Sequence, residues 1–235
     1  MLRQPAVAGQ FYPGSQQQLK AMLNQFLATQ AEPRPAILAV CPHAGYVYSG
    51  ATAGKVLGQV VVPRRVVVVG PNHRGMGHPA AVMSRGQWLT PLGRVELDAE
   101  MGADLLARCP VLAEDPQAHL LEHSLEVQVP FLQARQPSLS LLAISLSFLS
   151  YADCQRIGQA LGQTIAAAGE PVLMVASTDM THYESAEMAR KKDTLALERL
   201  LALDPQGLFD TVRGLGLSRR EGATGPGMGR ARAST

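Results

Sequence analysis

Three histidines and an aspartate stand just beyond apolar runs that share one grammar. The run in ILAVCPHAGYVYSG, residues 37–50, stops at Pro42 and is followed by His43. RVVVVGPNHRG, residues 65–75, leads to His73, and PVLMVASTDMTHY, residues 171–183, leads to Asp179 and His182. Neutral imidazoles and a carboxylate are donors that Zn(II) or non-haem Fe(II) takes, and a centre with two histidines and one further ligand keeps positions open for substrate or oxygen. We expect His43, His73, Asp179 and His182 to share one site.

A sheet must bring them together. Ile37 to Val40 reads as a buried strand stopped by Pro42, with Gly45 permitting a tight turn and Ser49 opening a helix that runs to about Gly58. Val66 to Val69 is a valine run without polar alternation, the pattern of a central parallel strand buried on both faces. Val172 to Ala176 is the third such run. In an open parallel sheet the carboxyl ends of strands lie along one edge, so loops remote in sequence can fill one crevice.

The remaining periodicities complete the frame. Helices are expected over Gln16 to Thr29, capped by Ser15 and with Leu19, Met22, Leu23, Phe26 and Leu27 on one face, over Ala99 to Cys109 behind Asp98, and over Tyr151 to Ala168. A long amphipathic helix follows over Ser185 to Leu203, then a short one over Pro205 to Val212. Short strands are expected around Ala80 to Ser84, Trp88 to Val95 and Leu139 to Leu146. Leu125, Val129 and Leu132 recur at helical spacing despite Pro130. Strands alternating with helices of this length specify an α/β fold: a single domain, residues 1–216, with a central, mostly parallel sheet flanked by helices. Residues 217–235 are rich in Gly, Ala and Arg without apolar periodicity, which predicts a disordered tail.

Composition narrows the function classes. Of 21 basic and 19 acidic residues, Arg219, Arg220, Arg230, Arg232 and Glu221 lie in that tail, which leaves 17 basic and 18 acidic residues in the body. A nearly neutral body does not mark a nucleic-acid binder. Cys41, Cys109 and Cys154 have no C-x-x-C spacing and leave an odd thiol, which points to a reducing compartment, and MLRQPAVAGQFYPG lacks the apolar core of a signal peptide. The most apolar region, Val56 to Val69, is cut by Pro63, Arg64 and Arg65, so no membrane span is expected and the location expected is cytoplasmic. Cys109 and Cys154 fall in helical patterns and are expected to pack.

Other motifs compete for the chemistry. HLLEH, residues 119–123, matches the H-x-x-E-H pattern of inverted zinc peptidases, with His119 and His123 as ligands and Glu122 as base. That use needs one uninterrupted helix through residue 123, whereas EDPQAH reads as a loop and a helix starts only near His123 or Ser124. His78, in a Gly-rich stretch, reads as a loop residue. GPNHRGMG lacks the Lys-Ser/Thr of a P-loop, and no G-x-G-x-x-G follows a strand.

Taken in order, RQPAVAGQFYP, PHAGYVYSG, GPNHRG, EHSLEVQVPFL and STDMTHY resemble the Memo-like proteins, also called AmmeMemoRadiSam system protein B in prokaryotes, over residues 3 to about 217. The resemblance implies a fold similar to the class III, LigB-type extradiol dioxygenases, with a metal at the strand ends. It makes His43 and His73 metal ligands, Asp179 and His182 neighbours available for acid/base work or substrate contact, and His123 a residue lining the site. It implies Fe(II) as cofactor, with copper or zinc as alternatives, and redox chemistry toward oxygen on a small molecule. A non-catalytic metal-binding or scaffold role, with AMMECR1-like and radical SAM partners, is the other class it implies.

The sequence departs from the family pattern at one place. A Cys-Gly pair, whose cysteine is the third ligand, is expected soon after the short helix, followed by several tens of residues completing the fold. LSRREGATGPGM stands there instead, and the expectation is a reading frame lost near Leu217, leaving a truncated chain.

Overall fold

The computed structural model describes residues 1–215, which fall into two compact units, residues 1–179 and those from 180 on. In the first, β1 (Leu2–Arg3) precedes α1 (Gln16–Leu27), β2 (Leu38–Cys41), α2 (Ala51–Gly58) and β3 (Arg65–Pro71). A run of short strands follows: β4 (Ala80–Met83), β5 (Gln87–Thr90) and β6 (Gly93–Leu97). Then come α3 (Ala99–Arg108), β7 (Ala113–Glu114), α4 (Val129–Arg135), β8 (Ser140–Leu146), α5 (Tyr151–Ala167) and β9 (Val172–Ser177). The predicted helices and strands recur within a few residues of their expected bounds.

The valine run is central, as its unbroken apolar pattern requires. β3 lies between β8 and β9, parallel to both, and β2 closes that side of the sheet parallel to β9. On the other side β8 pairs with β6 in parallel, and the antiparallel β5–β6 hairpin leads out to β1. β4 runs antiparallel to the far end of β8 and takes β7 on its outer edge. The Gly-rich excursion after His73 thus widens the sheet. Both faces of β3 are covered: Val66 and Val68 join the core that holds α1, α2 and α4, while Val67 joins the one beneath α3 and α5.

Two local features hold this frame tight. Leu19 and Leu23 of α1 are fully buried, and α1 lies so close to α2 that a β-carbon at Gly54 would meet the Phe26 carbonyl oxygen at 2.6 Å. Only glycine permits that approach. Asp98 caps α3 as expected, its side chain accepting from the Met101 amide, and Ser150 does the same for α5 from Asp153. Ser15 does not: its side chain makes no cap bond, and only its carbonyl accepts, from the Leu19 amide. Of the two cysteines expected to pack, Cys109 is buried but Cys154, in the first turn of α5, is exposed because it lies off the Ile157, Ala160 and Leu161 face.

The second unit holds α6 (Ala186–Leu201), capped by Ser185, and α7 (Pro205–Gly214), capped by Asp204. The two helices pack on each other. Only Ala196 of α6 is buried, whereas Leu195, Leu197 and Leu201 are exposed. The tail expected at 217–235 and the missing Cys-Gly pair lie outside the described residues. Among the described residues no helix is long and apolar enough to cross a membrane.

Candidate metal centre

The sheet order makes the site. Because β9 sits between β2 and β3, the residues just past β2 and β3 flank the end of β9. His43 follows β2 by two residues, His73 follows β3 by two, and Asp179 follows β9 by two. The His43 amide donates to Asp179 Oδ1 at 2.6 Å, and His43 Nε2 lies 3.8 Å from Asp179 Oδ2. A third histidine enters from the irregular segment before α4: the His123 ring stacks on His73 at 4.5 Å and lies 5.7 Å from His43, whose ring is 5.2 Å from His73. His43, His73 and His123 each offer a ligand atom within 4.8 Å of the others.

The tautomers are set from behind. Glu122 Oε1 lies 2.8 Å from His73 Nδ1, and its Oε2 accepts the His73 amide at 2.7 Å. A carboxylate accepts only, so Nδ1 carries the proton and Nε2 keeps its lone pair, as in a carboxylate–histidine–metal triad. His43 Nδ1 is 3.3 Å from Ser177 Oγ. That hydroxyl already donates to the Ser124 carbonyl at 2.6 Å and accepts from Gln128 Nε2 at 2.9 Å. It therefore has only a lone pair left for His43, which again leaves Nε2 to face the site.

The electrostatics favour neutral imidazoles. Burial, foremost, pushes the His123 pKa down to about 4 despite the Glu122 carboxylate nearby, so the ring is neutral at physiological pH. Burial on its own raises the Glu122 carboxyl, but bonds from the His73 side chain and the Ser124 amide outweigh it and bring the pKa down to about 2. One buried anion thus stands behind neutral nitrogen donors. An ion bound by imidazoles at its usual distance spaces their nitrogens about 3 to 3.5 Å apart, within a small closure of the separations seen. The three histidines fit a divalent transition metal.

Several expectations change shape here. His123, expected to line the site, joins His43 and His73 as a candidate ligand. HLLEH is not a helix: Pro116–Ala118 is a single 3-10 turn, and residues 119–123 follow as turn and loop. Glu122 is therefore not placed as a peptidase base, since its carboxylate is occupied by His73 and by the amides of His123 and Ser124. His119 is fully buried near Trp88, outside the histidine group. The Cys41 thiol is buried in the core, where desolvation raises its pKa to about 12, and it is no substitute ligand. His182 belongs to the second unit, where it is exposed with its ring tilted on Tyr183 at 5.9 Å. Ser177, Gln128 and Ser124 were not legible as site residues, although a serine ending VLMVAS and a glutamine within a buried apolar stretch are polar where the pattern is apolar.

Comparison with known proteins agrees with this arrangement. A family model described as Memo-like protein matches residues 3–219. A MEMO1 family protein of Caldivirga maquilingensis is 39% identical over 250 residues, covering 95% of this chain and 89% of that protein. One from Aquifex aeolicus is 41% identical over 213 residues, covering 88% of this chain and 78% of its own length. With the family's motifs at the strand ends that carry the histidine group, this chain belongs to the Memo-like protein family.

Proposed function

We propose that this chain is a metal protein whose ion is held by His43, His73 and His123, with Fe(II) as the working metal and oxygen-dependent redox chemistry on a small molecule as its activity. The observation that carries the reading is the convergence of three neutral imidazoles, two with their Nδ1 atoms engaged from behind, so that Nε2 lone pairs meet at one point. Imidazole donors suit iron, copper and zinc alike, and three of them leave coordination positions for a substrate. When bound, ferrous ion supplies Lewis acidity and one-electron chemistry toward dioxygen.

The chain's own groups divide the remaining work. Glu122 holds the proton on His73 Nδ1, and Ser177 accepts from His43 Nδ1. Asp179, tied to the His43 amide and 3.8 Å from Nε2, is the carboxylate beside the open side of the centre, suited to receive a proton or orient a substrate hydroxyl. His182 is proposed as the proton-transferring imidazole.

Metal analysis of the purified chain, then anaerobic Fe(II) loading and oxygen uptake with catechols, tests this. Uptake that disappears in His43→Ala and His73→Ala is expected. Iron held at the site without oxygen uptake would leave a metal-binding scaffold instead.

A further inference from the structure

The Arg3 guanidinium is enclosed, and three of its bonds reach the segment that carries Glu122 and His123. Nε donates to the His119 carbonyl at 2.7 Å, Nη2 to the Glu122 carbonyl at 2.8 Å, and Nη1 to Glu126 Oε2 at 2.7 Å. The group lies 4.2 Å over the Trp88 ring. Glu126 is as enclosed as its partner, and its carboxylate also accepts from the Ala6 and Val7 amides and the Tyr12 hydroxyl. The leader is thus tied to the 119–126 segment along its length. At its end the Phe11 ring lies 4.8 Å from the His123 ring, and the Phe11 carbonyl accepts the Tyr46 amide beside the His43 loop.

The segment needs such support. Residues 119–125 form neither helix nor strand, so their buried carbonyls must find partners elsewhere. An ion pair this deep adds little net stability over an apolar pair of the same volume. What a planar guanidinium adds is direction, because its donors point along fixed axes to three acceptors at once.

We propose that Arg3 is a positioning residue of the metal centre: by bonding the carbonyls of His119 and Glu122 it fixes the turn that aims Glu122 at His73 and His123 at the ion. The inference rests on the metal reading above. It gives the N-terminal leader a task that the histidine motifs do not reveal. The ion is held by three loops, and the leader holds the one loop that has no regular structure of its own.

Arg3→Lys keeps a cation facing Glu126 but has no fork to span the two carbonyls. Co(II) serves as the probe, titrated into the wild type and the variant and followed by equilibrium dialysis and visible absorption. R3K is expected to bind Co(II) about 10- to 100-fold more weakly, the range found when an orienting partner is lost, with altered d–d bands. The double variant R3K/H123A should lose less than the product of the two single losses, because both changes act on the same ligand. R3M/E126Q removes the pair without leaving a lone buried charge and should give the same result if R3K does not fold. Wild-type affinity and spectrum in either folded variant, or R3K and H123A losses that multiply, overturn the inference while leaving the metal reading intact. A wild-type chain that takes up no Co(II) overturns the metal reading and the inference with it.

Discussion

β3 has a charged cluster at each end, and the two are built on opposite plans. At its amino end Arg65 faces Asp98 at 3.0 Å, Glu170 at 3.4 Å and Glu100, with Glu100 84% and Glu170 41% exposed. One cation is shared among three carboxylates, two of them in solvent. Past its carboxyl end the Glu122 carboxylate is 1% exposed and accepts from the His73 ring and from the amides of His73, His123 and Ser124. Water and redundancy make the first cluster tolerant, since any one partner can be replaced by solvent. Enclosure and directed bonds make the second intolerant, since a lost member leaves buried donors unsatisfied. The end that bears the histidines is the end where loss is costly.

The contrast can be tested from its strongest side downward. His73→Ala removes a candidate ligand and should weaken metal binding by more than about 100-fold, beyond the effect usual for an orienting partner, as read by dialysis against Fe(II) or Co(II). Glu122→Gln keeps the ligands but replaces an acceptor-only group with an amide, and binding should weaken about 10- to 100-fold.

Glu122 also predicts a pH dependence. Its folded pKa, about 2, lies below the ordinary 4.5, so its contribution to stability is complete above pH 4.5 and is lost as pH falls through about 2. A shift of that size corresponds to about 3 kcal/mol. Urea unfolding of wild type and E122Q should therefore show a difference that is largest near neutrality and shrinks by up to about this amount in acid. A constant difference across that range would remove the electrostatic account.

At the other end of β3, Asp98→Ala loses both the α3 cap and a nearly buried partner of Arg65, and about 2 kcal/mol of stability should go with it, measured by thermal unfolding. Glu100→Ala removes an exposed partner and should change stability by less than about 1 kcal/mol. An E100A variant as damaged as E122Q would break the comparison.

Much of the frame was legible because its signals are local. The valines of β3, the Asp98 cap and the spacing of Leu19 and Leu23 each act within one or two turns or a single strand, and each recurs in the fold. His43, His73 and Asp179 were legible as strand-end residues for the same reason. Glu122 was visible only as part of a peptidase-like pattern, because H-x-x-E-H records spacing and not backbone. A helix there would have put His119 beside His123. The observed turn buries His119 by Trp88 and sends Glu122 to His73 instead. Arg3 gave no signal at all: a single arginine near a terminus reads as surface, and its burial depends on partners more than 100 residues away.

The sequence by itself determined where strands end and that histidines follow two of them, since apolar runs, proline and glycine act on their immediate neighbours. Only the tertiary structure decided that β9 lies between β2 and β3, that Ser177 therefore stands behind His43, and that His123 rather than His119 completes the group. Strand order and register are set by pairings between segments far apart in the chain, and no local pattern of hydrophobicity states which strand will be whose neighbour.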